Sequence, residues 1–244
     1  MRELLLLALL SPFYLLPAQA QTIVVGAEDD WYPYSGKVGG EAQGMAEDIV
    51  RAAFAASGVD VRFVSLPYAR CVHMVRTGEL EACFDTSRTR ENEGDFLWPA
   101  RPMFTSKALI YARADSLDHD LGPTALHGKH VAVTNGYEYG SDFDGDVTVT
   151  REVTNQTIYS FRMLALGRVQ YALAFEKVAR YLIDTHPQEF SGKVKVVGLS
   201  AETQLYCVFS RKFPDAATGL ALFDRGFATI QANGTYRDIL ASWR

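Results

Sequence analysis

The sequence has 244 residues, of which 48% are hydrophobic, and a formal net charge of −5 at pH 7. This length is sufficient for one large domain or two lobes with cores of their own, so folding needs neither a metal nor many disulfides. No run of Lys or Arg is present, which argues against a nucleic-acid-binding face.

The first 20 residues have the layout of an export signal. Arg2 gives a weakly positive start, residues 4–16 form an apolar core, and Ala18-Gln19-Ala20 is a small-x-small cleavage site. A retained membrane anchor is the alternative, but the apolar run is shorter than the ~20 residues that a spanning helix needs. We therefore predict cleavage after Ala20 and a soluble mature protein in the periplasm. No lipid anchor is expected, because no Cys follows the cleavage site.

The first part of the mature chain alternates between strand and helix. Gly58 and Gly78 are expected to end the two helices, and a Gly-rich turn is expected near residues 36–44. The order β-α-β-α-β predicts a parallel sheet covered by helices. Hydrophobic spacing predicts strands at residues 22–27, 61–65 and 80–84 and helices at 45–57 and 68–77.

A second α/β unit follows Pro99 and Pro102. Residues 105–112 form an extended segment suited to cross between two lobes, and residues 204–210 look like a return strand. Two lobes joined by two crossings follow from this order. Between the crossings the pattern predicts strands at residues 130–134, 147–150, 171–174 and 194–197 and helices at 155–166 and 176–185, and after the return strand two helices separated by Asn233-Gly234.

Three cysteines, Cys71, Cys83 and Cys207, would meet an oxidising compartment after export. One disulfide with one buried thiol is the simplest arrangement, and three packed, reduced thiols are the alternative. Cys71 lies in the first turn of a predicted helix and Cys83 near the end of the next strand, and these ends meet at one edge of a β-α-β unit. We therefore predict a Cys71–Cys83 disulfide that leaves Cys207 unpaired.

Several segments in order resemble the family 3 solute-binding proteins, which are exported receptors that feed polar amino-acid importers. The resemblance covers essentially the whole mature chain, and it depends on the order and spacing of the segments because each alone is weak. The matching segments are VVGAEDDWYPY at residues 24–34, GMAEDIV at 44–50, GELEACFDTSRTRENEGDF at 78–96, HGKHVAVTNGYEYG at 127–140, GRVQYALAFE at 167–176 and ANGTYRDILASW at 232–243.

The resemblance implies an α/β fold of the two-lobed periplasmic-binding-protein type (type II), with a ligand cleft between the lobes and two hinge crossings. Hinge closure then buries the ligand. The implied organisation is a signal peptide at residues 1–20, the first part of lobe 1 at 21–106, lobe 2 at 107–203, and the rest of lobe 1 at 204–244.

In the first lobe, the resemblance places an acid and two aromatic residues against the ligand. Glu28 matches the acid, Trp31 the aromatic residue three positions later, and Tyr68 a second aromatic wall at the start of a helix. Arg70 follows two residues later and faces either the cleft or solvent. A solvated acid and a surface-covering tryptophan are the plainer interpretations of Glu28 and Trp31.

The family anchors its ligand through a Thr-x-x-Arg segment whose guanidinium grips the α-carboxylate with two charge-assisted hydrogen bonds. Alignment on Asp95-Phe96 makes Ser87 and Arg90 that pair. Alignment on Thr89 instead puts Asn92 at the arginine position and leaves Arg88 or Arg90 to compensate. We favour Arg90, followed by Arg88, and solvated surface arginines are the alternative for both.

In the second lobe, the family contacts its ligand at the turn after the first strand. This turn holds Thr134, Gly136, Tyr137 and Glu138, and Gly136 would free a backbone N–H for an anion. Glu176 is nearest to the family's acid for the ligand amine, although an exposed acid at a helix start is an equal alternative.

The leading hypothesis is a monomeric periplasmic binding protein that captures a small polar, amino-acid-like ligand and delivers it to an ABC-type importer permease. One rival is a dehydratase-like enzyme on the same scaffold. The five histidines form no i, i+4 metal pair and no Gly-x-Ser-x-Gly motif is present, so we predict no cofactor and no enzymatic activity. Another rival is a ligand sensor or adaptor for a membrane receptor.

Overall fold

The computed structural model describes residues 22–243, so the predicted signal peptide and its cleavage site lie outside the described residues. The strands are β1 (Thr22–Glu28), β2 (Asp30–Trp31), β3 (Ser35–Val38), β4 (Glu41–Gln43), β5 (Asp60–Leu66), β6 (Ala82–Ser87), β7 (Phe96–Leu97), β8 (Phe104–Arg113), β9 (His130–Thr134), β10 (Thr150–Thr154), β11 (Tyr171–Phe175) and β12 (Val194–Ser210).

The helices alternate with these strands as the sequence predicts. A short 3-10 helix spans Pro123–Leu126. The α-helices are α1 (Met45–Ala55), α2 (Tyr68–Thr77), α3 (Ser141–Asp144), α4 (Thr157–Ala165), α5 (Glu176–Thr185), α6 (Pro187–Phe190), α7 (Ala216–Asn233) and α8 (Thr235–Ser242).

Within residues 22–243, nine strands form one large sheet in the order β10-β9-β11-β8-β12-β6-β1-β5, with β7 paired to β12. Strand β1 pairs in parallel with β5 and β6, and β9 pairs in parallel with β10 and β11. The antiparallel strands β8 and β12 lie between these two parallel groups and carry the chain from one group to the other and back. The two-lobed α/β fold is therefore confirmed, while the residue boundaries of the lobes remain a prediction.

Each parallel group has its own helices. Helices α7 and α8 come from the C-terminal part of the chain and pack on α1, which rebuilds the first lobe. Helix α4 packs on β9, β10 and β11 in the second lobe. The buried core of the first lobe includes Phe54, Phe209, Phe223 and Phe227, whose rings contact one another. The largest cluster of buried hydrophobic residues is continuous across both lobes, and a smaller one lies in the second lobe.

Three local predictions from the sequence were wrong. The predicted Gly-rich turn at residues 36–44 contains strands β3 and β4, which form a small sheet with β2. The strands predicted at 194–197 and 204–210 are one strand, β12, because register shifts at Val196/Gly198 and Leu199/Ala201 disturb its apolar alternation without ending it. The strand predicted at residues 147–150 begins only at Thr150, because the residues of β10 that pair with β9 are Thr150–Thr154.

The predicted disulfide between Cys71 and Cys83 is present, with 6.1 Å between the two Cα atoms. It joins the first turns of α2 to β6. Gly26 of β1 makes room for it, because a Cβ at that position would overlap the sulfur of Cys71. Within the described residues, Cys207 is buried and has no disulfide partner, as predicted.

We expect the double variant Cys71→Ala/Cys83→Ala to lose about 3 kcal/mol of unfolding free energy, because the disulfide restricts the unfolded chain. Urea unfolding under non-reducing conditions measures this loss. The matched control is Cys207→Ala, which removes only a packed sulfur and should have a smaller effect. An equal loss in the control and the double variant would contradict the prediction.

Candidate functional site

A candidate site lies between the lobes, where the carboxyl ends of β1, β9 and β11 meet the start of α2. Ligands of open α/β sheets bind at such ends. Here the side chains enclose a cavity of only about 10 Å³, and we call this set of residues the interlobe site. Its lining residues are Glu28, Trp31, Tyr68, Asp85, Tyr137, Glu138, Phe175 and Leu205.

The two lobes are joined at this site by reciprocal contacts between tyrosines and carboxyl groups. Tyr68 of the first lobe donates its hydroxyl to Glu138 of the second, with distances of 3.2 and 3.0 Å to Oε1 and Oε2. Tyr137 of the second lobe donates its hydroxyl to Glu28 of the first. The rings of Tyr68 and Tyr137 meet edge to face at 5.5 Å. The lobes are therefore in direct contact, and the cleft is closed at the interlobe site.

Aromatic rings form the other wall of the interlobe site. Trp31 is 2% exposed. Its ring stacks on Tyr34 with centroids 4.4 Å apart and meets Phe175 of the second lobe edge to face at 4.9 Å. Tyr34 is fixed in turn by a 2.8 Å hydrogen bond between its hydroxyl and that of Ser106. This wall supplies a rigid apolar surface beside the carboxyl groups.

Asp85 is a site residue that the sequence analysis missed. It lies in a bulge of β6, where Phe84 and Asp85 together oppose Cys207 of β12, and its φ angle is +65°. Among the described residues, neither carboxyl oxygen of Asp85 has a hydrogen-bond partner. The available signal was an Asp directly after the apolar run ACF of the predicted strand.

The carboxyl groups of the site favour their neutral forms. Burial raises the pKa of Asp85 well above its usual value, and the charges of Glu47 and Glu28 raise it further. Burial also raises the pKa of Glu28, against the lowering effect of the Tyr137 hydroxyl. Burial raises the pKa of Glu138 to about 7. The interlobe site is thus an acidic site from which water is largely excluded.

Glu47 links this acidic site to the stability of the first lobe. It is buried in the first turn of α1 and accepts a 2.6 Å hydrogen bond from the hydroxyl of Ser35. Burial raises its pKa to about 7, so the folded state holds a proton that the unfolded state has already released. This contribution is complete below pH 4.5 and is lost as the pH rises through about 7.

We therefore expect Glu47→Gln to gain about 2 to 3 kcal/mol of stability relative to the parent protein between pH 4.5 and pH 8. Urea unfolding of both proteins at several pH values measures the difference. Glu41→Gln, at an exposed carboxyl group, is the matched control and should show a flat difference. A flat difference for Glu47→Gln as well would mean that its carboxyl group is not buried in the folded state.

The structure brings five of the predicted site residues together in the interlobe site, which are Glu28, Trp31, Tyr68, Tyr137 and Glu138. Gly136 lies beside it with a φ angle of +80°, and a Cβ there would lie 2.8 Å from the Cβ of Ala69 in the other lobe. Thr134 is buried, and its hydroxyl is 3.1 Å from that of Thr157.

Other predicted residues lie away from the cavity. Ser87 and Arg88 line a larger open groove of about 690 Å³ that continues outward from Glu138. Arg70 and Arg90 are exposed. Glu176 is partly exposed at the start of α5, with its Oε1 3.5 Å from Nη2 of Arg180. Their roles toward a ligand remain predictions.

The segment expected to hold the arginine clamp forms a polar turn. The amide N–H of Thr89 donates to Asn92 Oδ1 at 2.8 Å, and the buried Asn92 side chain donates to the carbonyl oxygen of Ser87 at 2.8 Å. Arg88 bonds Glu93 at 2.5 Å, and its guanidinium lies over the ring of Trp98. Arg90 as the carboxylate anchor stays a prediction.

The family model for "Bacterial extracellular solute-binding proteins, family 3" matches residues 23–244 of this chain. The chain belongs to this family. This result confirms the resemblance of the sequence segments and their order. A search of curated protein sequences finds no match.

Many solved structures resemble this family 3 protein in fold. The P235GK mutant of ArgBP from T. maritima is 18% identical, with a TM-score of 0.76 over 91% of this chain and 94% of that one. An ancestral arginine-binding protein bound to glutamine is 20% identical, with a TM-score of 0.77 over 92% and 98%. A histidine kinase sensor domain is 24% identical, with a TM-score of 0.79 over 92% and 96%.

Two negative findings concern the residues that the structure describes. No helix there is both long and apolar enough to cross a membrane. The same residues contain no group of three or more His, Cys, Asp and Glu side chains arranged to hold a metal ion.

Proposed function

We propose that this family 3 protein is an exported receptor that captures a small polar ligand between its lobes and delivers it to an ABC-type importer. The observation that carries the proposal is the pair of reciprocal contacts across the cleft, Tyr68 with Glu138 and Tyr137 with Glu28. Such contacts form only when the lobes close, which is the motion by which two-lobed receptors enclose a ligand.

Ligand entry requires the lobes to separate, because the closed cavity of about 10 Å³ is no larger than a water molecule. The ligand would then replace the tyrosine hydroxyls as partner of the carboxyl groups. Several similar structures are arginine-binding proteins, and one of these, an ancestral protein, is bound to glutamine, which supports a ligand of amino-acid size.

A thermal-shift screen of the mature protein against amino acids, amines, small organic acids and sugars tests this proposal. A ligand that binds only the folded state raises the midpoint of thermal unfolding, by an amount that grows with its concentration. We expect one chemical class to do so, and small-angle scattering to show a change in radius of gyration with the best compound. The absence of any shift across the panel would overturn the proposal, and consumption of a compound would indicate an enzyme.

Export is part of the same proposal. A disulfide such as Cys71–Cys83 persists in an oxidising compartment, which supports the periplasm as the location. We expect the mature N-terminus to be Gln21, and mass spectrometry of the protein from periplasmic extract measures it. A protein that retains residues 1–20 in the membrane fraction would contradict this expectation.

Sensing is a second candidate role. One of the similar structures is a histidine kinase sensor domain, and the same lobe closure would serve to report a ligand to a kinase. Chemical crosslinking of the exported protein in its native cells distinguishes the two roles. Capture of importer subunits supports delivery, whereas capture of a membrane kinase supports sensing.

A further inference from the structure

The interlobe site contains a carboxyl group that nothing in the described protein satisfies. Asp85 is 4% exposed, both of its oxygens lack a hydrogen-bond partner among residues 22–243, and it lines the cavity. Glu28 and Glu138 line the same cavity, so three carboxyl groups converge on it. A buried carboxyl group without a partner is costly, so it points to a partner that is absent from the chain itself.

No positively charged side chain of the described residues lines this cavity. Arg88, which lines the adjoining groove, already bonds Glu93 and lies over Trp98. Lys177 donates to the carbonyl oxygen of Trp243 at 2.8 Å. The charged neighbours that act on Asp85 are the acids Glu47 and Glu28. The protein therefore lines the cavity with three carboxyl groups and no cation, and a cationic ligand would favour their ionised forms.

The tyrosine hydroxyls show which ligand chemistry the site accepts. Tyr137 and Tyr68 donate to Glu28 and Glu138 in the closed state, so each of these acids accepts a hydrogen bond across the cleft. An ammonium group carries three donors and no acceptor, and it could satisfy Asp85 and one of these acids together. A carboxylate on the ligand would instead meet three acids and no arginine.

We infer that the interlobe site binds a small organic cation that carries ammonium or amidinium groups and lacks a carboxylate. This inference rests on the proposed function, because the ligand enters the same cleft when the lobes open. Trp31 and Phe175 form the apolar wall against which the carbon chain of an amine packs, and the indole face favours a cation. The arrangement of acids does not meet the requirements of a metal site within the described residues.

Matched pairs of compounds test the inference, because each amine differs from its amino acid only by the α-carboxylate. The pairs are putrescine and ornithine, cadaverine and lysine, and agmatine and arginine. Calorimetric titration of the mature protein should show that at least one amine binds ten-fold or more tightly than its amino acid. An amino acid that binds as tightly as its amine in every pair, or better, would overturn the inference.

A variant of Asp85 tests the same point from the side of the protein. Asp85→Asn keeps the size and tolerates the positive φ angle but cannot ionise to pair with an ammonium group, so the amine should bind at least ten-fold more weakly. Asp215→Asn is the matched control, because Asp215 also has a positive φ angle of 62° but is exposed. Unchanged amine binding by Asp85→Asn would overturn the inference. Should this variant fail to fold, Glu28→Gln provides the same test.

Failure of the inference and failure of the proposed function give different results. Binding of an amino acid that is lost in Arg90→Ala or Arg88→Ala would restore the carboxylate clamp and overturn the inference, while the receptor function would stand. Binding of a sugar or an organic acid alone would also overturn the inference and leave the receptor function standing. Binding of no compound in the wider panel would overturn both.

Discussion

Replacing Gly226 with alanine is expected to destabilise the protein by about 4 kcal/mol or more, or to prevent folding. Gly226 is buried in α7, where this helix crosses α1. A Cβ at this position would overlap the carbonyl oxygen of Ala53 and lie 2.7 Å from its carbonyl carbon and 2.8 Å from Ser57 Oγ. Backbone atoms of a packed helix cannot move aside as a side chain can, so the two helices would have to separate.

In a helix without close neighbours, Gly→Ala would stabilise the protein by about 1 kcal/mol. A loss of stability in Gly226→Ala would therefore indicate the close contact between α7 and α1. Urea unfolding and soluble yield measure the effect. Gly94→Ala is the matched control, since a Cβ there meets no atom within 4 Å. If Gly226→Ala were as stable as the parent protein, the close approach of α7 to α1 would be wrong.

Trp31→Ala is expected to cost about 3 to 5 kcal/mol, because it removes a large buried ring and leaves a cavity. The ring contacts Tyr34, Phe104 and Phe175, and these contacts span both lobes. The loss of the ring should therefore weaken the closed arrangement as well as the fold. Thermal and urea unfolding without added ligand measure the loss of stability. Small-angle scattering measures the weakening of the closed arrangement.

Trp31→Phe is the control for this prediction. It keeps an aromatic ring and removes the indole N–H, which is buried without a hydrogen-bond partner among the described residues. We expect it to lose much less stability than Trp31→Ala. Equal losses in the two variants would mean that ring packing is not what Trp31 contributes.

The sequence was sufficient for the fold where apolar periodicity is regular. The helix predicted at residues 68–77 agrees with α2, and the helix predicted at 176–185 agrees with α5. Periodicity failed where tertiary pairing decides the structure. Strand β12 keeps pairing with β8 through two register shifts, and no local pattern encodes a pairing that depends on a distant strand.

The same limit applies to the candidate site. Glu28, Trp31 and Tyr68 follow or begin regular elements, so the resemblance could assign them. Asp85 could not be found in this way, because its position depends on a bulge that forms only when β6 pairs with β12. Its lack of a hydrogen-bond partner depends on which residues surround it after folding. These residues are far apart in the sequence, so no local pattern reveals them.

The ladder between β8 and β12 runs from Phe104 opposite Leu205 to Arg113 opposite Val194, and its neighbours belong to both lobes. Because this ladder is one continuous two-stranded ribbon, the lobes are connected by paired strands and not by a flexible linker. Any change in the angle between them must twist or bend the ribbon, most easily at the shifts near Gly198 and Ala201. We therefore expect the intrinsic twist of this ribbon to set the angle that the two lobes prefer when no ligand is bound.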